Sequence, residues 1–308
     1  MGTLPIPAEG QSFEAAYAQA AEYAEFVPVW GKPSPFYRMA DDLAGSWGKT
    51  FVDEYTYGNG MFPIVHLTFM GEEMSLAAPP ELDNATLSDP AWRSAYKETA
   101  LEIVRVAHPP YLSLGNEVNR WYEKYGAELP DPNGFQHFVS LYEETYNAVK
   151  AVSPETNVFC TFAREIISEH RPANLEVLTM FDPNHLDLLA LTSYPYTVQG
   201  IRSPSDIPHD YYSKALAHTP GLSLALIEVG WPSLEALGGE AAQRDFLAQA
   251  VGRLTREQGI PLNLVGWAWL HDINPNDTMG LLRRDNSPKA AYEIWKALST
   301  SEPQESPQ

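Results

Sequence analysis

The chain has 308 residues, 44% of them hydrophobic, with 20 Lys and Arg against 40 Asp and Glu for a formal net charge of −20. That length suffices for one large domain with a well-buried core, and the charge would repel a phosphate backbone, so nucleic acid is set aside as a partner. No apolar run is long enough to cross a bilayer, so membrane insertion is not expected.

The lone Cys160 excludes an internal disulfide and, within the apolar run Asn157 to Phe162, reads as a small buried side chain rather than a nucleophile. The N-terminus, Met1-Gly2-Thr3-Leu4-Pro5, lacks the charged and apolar regions of a leader. It reads as a natural start or as what remains after a leader is removed, and the second case would favour a secreted or cell-surface location. Ser299 to Gln308 is rich in Ser, Glu, Pro and Gln and reads as a disordered tail, leaving residues 1–298 for one folded unit, expected to be a monomer.

Along the chain, strand-like and helix-like runs alternate, the mark of a parallel α/β sheet. Leu4 to Pro7 makes a poor first strand, followed by a helix from Phe13 to about Tyr23. Glu25 to Trp30 is the second strand, and Ser34-Pro35 looks like a helix cap with proline in the first turn. Met61 to Met70 is the third strand, and Asp89-Pro90 opens a helix to about Ala107. Tyr111 to Asn116 is the fourth, and helical spacing of Phe135, Phe138, Val139, Tyr142, Tyr146 and Val149 predicts a helix to Val152. Asn157 to Phe162, Leu186 to Tyr194 and Leu222 to Val229 are strands five to seven, the last followed by a helix from about Glu240 to Gln258. Leu264 to Leu270 is the eighth strand, and Ser287-Pro288 opens a final helix through Leu298. Eight strands each followed by a helix predict a single-domain (β/α)8 TIM barrel. The rival, a doubly wound sheet, would carry a Gly-x-Gly-x-x-Gly loop, and none occurs.

Two stretches stand out: Leu114-Gly115-Asn116-Glu117-Val118 and Ile227-Glu228-Val229-Gly230-Trp231-Pro232-Ser233. Each puts a carboxylate where a strand ends, the fourth and the seventh, and in a barrel the strand C-termini converge on one mouth. A carboxyl pair about 5–5.5 Å apart suits retaining cleavage of a glycosidic bond, and a pair wider than about 6.5 Å suits inversion. An acid/base needs an environment that raises its pKa, whereas a nucleophile must stay ionised.

With Ser193-Tyr194-Pro195-Tyr196, these stretches resemble the clan A glycoside hydrolases. Within the clan, Gly-Asn-Glu-Val and Glu-x-Gly-Trp-Pro-Ser are similar to family 17, the β-1,3-glucanase group. The likeness runs from strand four onward. The eighth strand, Leu264-Val265-Gly266-Trp267-Ala268-Trp269-Leu270-His271-Asp272, looks instead like that of families 5 and 53. The resemblance implies Glu117 as acid/base, Glu228 as nucleophile, Asn116 on the sugar 2-hydroxyl, and Tyr194 beside Glu228.

Further candidates follow from position. Trp267 and Trp269, two apart, are expected on one face of their strand, with Trp269 the preferred sugar platform. Trp30, at the end of strand two, and Trp231 are candidates for flanking subsites, and His66, late in strand three, for a substrate hydroxyl. Tyr196 reads more as packing. His108 and His185 precede strands and belong to the opposite face, and His271 has no obvious partner.

No cofactor is expected. A zinc site would want His-x-His or His-Glu-x-x-His, which are absent, and Asp272 and Asp277 do not match an EF-hand. Gly-x-Ser-x-Gly is absent too. The expected partner is a carbohydrate, and the expected reaction is retaining hydrolysis of a β-linked oligo- or polysaccharide. A glycan-binding or transglycosylating barrel with the same site is the alternative; a metal-dependent barrel enzyme lacks a visible ligand cluster.

Overall fold

The computed structural model describes residues 1–30, 35–260 and 262–300. Its strands are β1 (Gly2–Leu4), β2 (Phe26–Val29), β3 (Phe62–His66), β4 (Tyr111–Ser113), β5 in two segments (Asn157–Phe159 and Thr161–Ala163), β6 (Leu189–Ser193), β7 (Leu224–Val229) and β8 (Leu262–Trp269). All neighbours in this sheet are parallel. The first segment of β5 pairs with β4 and the second with β6, while β1 lies between β2 and β8. The ring therefore meets on either side of Cys160, and the expected (β/α)8 barrel is the fold.

Period-two alternation splits the strand residues into two cores. Phe26, Ile64, Phe159, Leu188, Ala190, Ala225, Ile227 and Leu264 form one buried cluster inside the ring. Their neighbours Val27, Val65, Val158, Leu189, Leu191, Leu224, Leu226 and Val265 join a larger cluster with the outer helices.

Those helices are α1 (Phe13–Ala20), α2 (Phe36–Ala44), α3 (Pro90–Ala107), α4 (Asn119–Tyr125), α5 (Phe135–Val152), α6 (Gly239–Gly252) and α7 (Ala290–Ser299). Asp89 caps α3 by accepting from the N–H groups of Ala91 and Trp92, as the Asp-Pro start predicts. Ser34 lies outside the described residues, and Pro35 is the residue before α2. The tail expected from Ser299 overlaps α7 at that residue, since α7 runs to Ser299; residues 301–308 lie outside the described ones.

Three expectations need correction. β1 stops at Leu4 rather than beginning there, because Pro5 and Pro7 have no N–H for the ladder. β3 ends at His66, not Met70, beyond which the chain turns back in a bridge between Met70 and Leu76. The connections after β5 and β6 carry 3-10 turns (Glu176–Met180, Pro183–His185 and Ser213–His218) in place of α-helices. In the first, a two-residue antiparallel ribbon of Glu165–Ile166 with Arg171–Pro172 uses the chain that a helix would need.

Candidate active site at the barrel mouth

Gly115 has no room for a side chain: a Cβ there would lie 2.4 Å from Val118 Cγ1 and 2.9 Å from the Phe138 ring. The turn it permits brings Glu117 into the left-handed region at φ 48°, uncommon for a residue with a side chain. Strain of this kind persists only where neighbours hold it. Here Thr161, in the second segment of β5, does so. Its hydroxyl accepts from the Glu117 N–H at 2.8 Å and donates to Asn116 Oδ1 at 2.7 Å, while its carbonyl accepts from the Val118 N–H at 3.0 Å. The Asn119 side chain completes the attachment with reciprocal 2.8 Å bonds to the Ala163 backbone.

Glu228 reaches the mouth by a different device. Leu224 and Leu226 face the outer core, so strict alternation would send Glu228 outward as well. Pairing with β6 slips between Leu226 and Glu228, which re-aims the side chain, and Glu228 then lies in register with Thr192. The Thr192 hydroxyl donates to Glu117 Oε1 at 2.8 Å. Two residues on, the Tyr194 hydroxyl donates to Glu228 Oε1. One strand end thus carries a donor to each carboxylate. Arg120 NH1 holds the other Glu117 oxygen at 2.8 Å.

A cleft of about 240 Å³ is lined by Trp30, Asn116, Glu117, Thr192, Glu228 and Trp269. Burial pushes the Glu228 carboxyl up to about 7; the Tyr194 hydroxyl opposes this and the Glu117 charge adds to it. The carboxyl that burial raises is thus the one the resemblance makes the nucleophile. Burial, reinforced by the two glutamates, holds the Tyr194 phenol well above its ordinary range, so it donates as a neutral hydroxyl.

Of the candidates read from the sequence, the structure brings Asn116, Glu117, Glu228, Trp30 and Trp269 to one cleft, with Tyr194 bonded to Glu228. Trp267 and Trp231 do not join them. Trp267 is 1% exposed, donates to the Met279 carbonyl at 2.7 Å and packs on Phe246. Pairing between β8 and β1 slips between Trp267 and Trp269, so the two indoles leave the strand on different sides. Trp231 is fully buried, donates to the Leu237 carbonyl and likewise packs on Phe246. Both are core.

His66 is buried beneath Trp30, its ring stacked on the indole at 3.7 Å, with neither nitrogen paired among the described residues. Burial lowers its pKa to about 3, so it is neutral. His271 does have partners, contrary to expectation: Ile6 O at 2.7 Å and Asn286 Oδ1 at 2.9 Å. Asp272 is held by Lys289 at 2.6 Å. Among the described residues no three His, Cys, Asp or Glu side chains gather as a metal site, and no helix is long and apolar enough to cross a membrane.

Sequence reasoning missed Thr161, Thr192, Arg120 and Glu165. Thr192 was legible in part, because it shares a strand face with Tyr194. The others are brought in from turns and adjacent strands without a motif of their own.

No protein-family model matches the chain, and no curated protein matches its sequence. Solved structures do match its fold. GH5_18 from Streptomyces cattleya, solved with GlcNAc, aligns with a TM-score of 0.65 at 17% identity, over 97% of this chain and 78% of its own. The exo-beta-1,4-mannosidase Op5Man5 from Opitutaceae bacterium strain TAV5 aligns with a TM-score of 0.60 at 18% identity, over 93% and 54%. The beta-glucuronidase of Bifidobacterium dentium aligns with a TM-score of 0.62 at 13% identity, over 98% and 46%. At these identities the shared property is the fold, a (β/α)8 barrel.

Proposed function

We propose that this chain is a retaining β-glycosidase. The carrying observation is the pair of glutamates lining one cleft, each bonded to a hydroxyl from the same end of β6. The fold neighbours support the class: each of the three is a glycoside hydrolase. Glu228, held by Tyr194, attacks the anomeric carbon. Glu117 protonates the departing oxygen and then, as a base, activates the water that releases the sugar. Asn116 bonds the sugar 2-hydroxyl, and Trp30 and Trp269 present apolar faces to the pyranose ring. No step calls on a cofactor.

The substrate is a β-linked oligo- or polysaccharide. The family 17 motifs favour a β-1,3-glucan; the fold neighbours, one of which was also solved with Manb1-4GlcNAc, favour a β-mannoside. A reducing-sugar screen on β-1,3-glucan, β-1,4-glucan, β-mannan, β-1,4-galactan and Manb1-4GlcNAc decides among these. Release from none of them, with binding retained, would leave a glycan-binding barrel; longer products at high substrate would make it a transglycosylase.

One observation favours a second assignment of roles. Glu117 is ion-paired with Arg120, whereas Glu228 is raised to about 7, the electrostatics of a reversed pair in which Glu228 is the acid. Azide rescue separates the two. Glu117→Ala with azide yields the β-glycosyl azide if Glu117 is acid/base and the α-anomer if it is the nucleophile; Glu228→Ala does the opposite.

A further inference from the structure

Behind Tyr194 lies a buried acidic group that the proposed chemistry does not use. Glu165, just after β5, is 4% exposed and receives three hydrogen bonds. The hydroxyls of Ser193 and Tyr211 each donate to Oε1 at 2.7 Å, and the backbone N–H of Tyr194 donates to Oε2 at 2.7 Å. The Tyr212 hydroxyl stands 3.1 Å from Ser193 Oγ. Arg164 lies alongside, its guanidinium 3.9 Å from the centre of the Tyr211 ring and its Nε donating to the Tyr211 carbonyl at 2.8 Å.

We propose that Glu165 is a positioning residue: its carboxylate fixes the backbone where β6 ends, so that the Tyr194 hydroxyl is presented to Glu228. This rests on the reading of Glu228 as the site's second carboxylate.

Three features support it. β6 ends at Ser193, so the Tyr194 N–H has left the ladder, and Pro195 supplies no donor of its own. Glu165 is the acceptor that stops this N–H from being orphaned, an expensive condition in a buried site. A buried carboxylate beside a buried guanidinium is also a poor way to gain stability compared with apolar packing, so a positional role accounts better for it. The geometry is continuous, from Glu165 through the Tyr194 backbone and ring to Glu228.

The test follows the Glu228 carboxyl directly, by 13C NMR titration with the signal assigned through Glu228→Gln. Glu228 is faced by Tyr194, just beyond β6, and by Glu117 from the loop after β4, with Arg120 behind the latter; Glu165 is faced by Arg164, Ser193, Tyr211 and Tyr212. Tyr194→Phe removes a donor that lowers the Glu228 midpoint, so the midpoint rises. Glu165→Ala is expected to raise it in the same direction, and the double variant to raise it no further than Tyr194→Phe alone. Glu165→Gln should restore the wild-type midpoint, because its amide oxygen can take the Tyr194 N–H while its NH2 faces hydroxyls free to turn. On a cleaved glycoside, Glu165→Ala should lower kcat on the order of 10- to 100-fold with KM little changed.

An unchanged Glu228 midpoint in Glu165→Ala, or additive shifts in the double variant, overturns the proposal and leaves Glu165 a structural residue. Should Glu165→Ala fail to fold, Ser193→Ala combined with Tyr211→Phe strips the carboxylate of its hydroxyl donors and must raise the midpoint too. The titration needs no turnover. If the chain cleaves no β-glycoside, the functional reading fails while the role of Glu165 is still decided.

Discussion

At the scale of single residues, the two glutamates differ more in their surroundings than in their sequence contexts. Glu117 sits on a strained turn between Thr192 and Arg120; Glu228 is withdrawn from water with one phenol as donor. Glu228→Gln keeps the shape and removes the nucleophile, so kcat is expected to fall by several orders of magnitude while the thermal midpoint holds or rises. A rate within tenfold of wild type would reject the role. The pH profile tests the same assignment with its sign fixed. A nucleophile must be ionised, so with a carboxyl raised to about 7, kcat/KM should climb as pH rises through about 7. If Glu228 is instead the acid, kcat/KM falls through that range. Glu117, Glu228 and Asn116 were legible because each motif couples a carboxylate to a strand end; Arg120 was not, because an arginine in a helix is an ordinary residue until the fold sets it against a carboxylate.

Among the elements, small departures from regularity place the site. One-residue slips in β7 and β8 turn Glu228 and Trp269 into the cleft, against the alternation that buries Leu226 and Trp267 outside the ring. The sequence carries the alternation but not the slips, so alternation alone pairs Trp267 with Trp269 on one face. Gly230 marks the close approach that follows: a Cβ there would stand 2.6 Å from Met279 Sδ and 3.1 Å from Tyr194 Cε1. The methionine can yield, but the tyrosine ring must move by tenths of an ångström. Gly230→Ala should therefore lower kcat by about tenfold or more while costing about 1 kcal/mol or less of stability. Kinetics and a denaturant melt on the same preparation check this, and loss of stability without loss of rate would contradict it.

For the whole molecule, buried charge sets the terms of stability. Lys289, ahead of α7, reaches Asp272 beyond β8 at 2.6 Å, and also meets Ser233 Oγ at 3.0 Å and the Thr278 carbonyl at 2.9 Å. One partner removed leaves the other uncompensated, so Lys289→Met should cost about 3–5 kcal/mol, and adding Asp272→Asn should recover much of it. Urea unfolding of the single and double variants measures both. Glu165 and Glu228 are each raised to about 7 by burial. Between their ordinary value of 4.5 and that point the folded chain binds more protons than the unfolded one. What these two groups contribute to stability should thus be most favourable at or below the ordinary value and decline as pH rises to about 7, by up to roughly 3 kcal/mol per group. Glu165→Gln and Glu228→Gln should each flatten that slope.

Composition, periodicity and strand-end motifs were enough to determine the barrel and to single out two glutamates, because hydrophobic alternation and helix signals are local properties of the chain. The tertiary structure alone decided which aromatic residues line the cleft and which hydroxyls hold the carboxylates. These depend on register slips, a left-handed turn and contacts between strands remote in sequence, and no local pattern encodes a distance between two glutamates 111 residues apart.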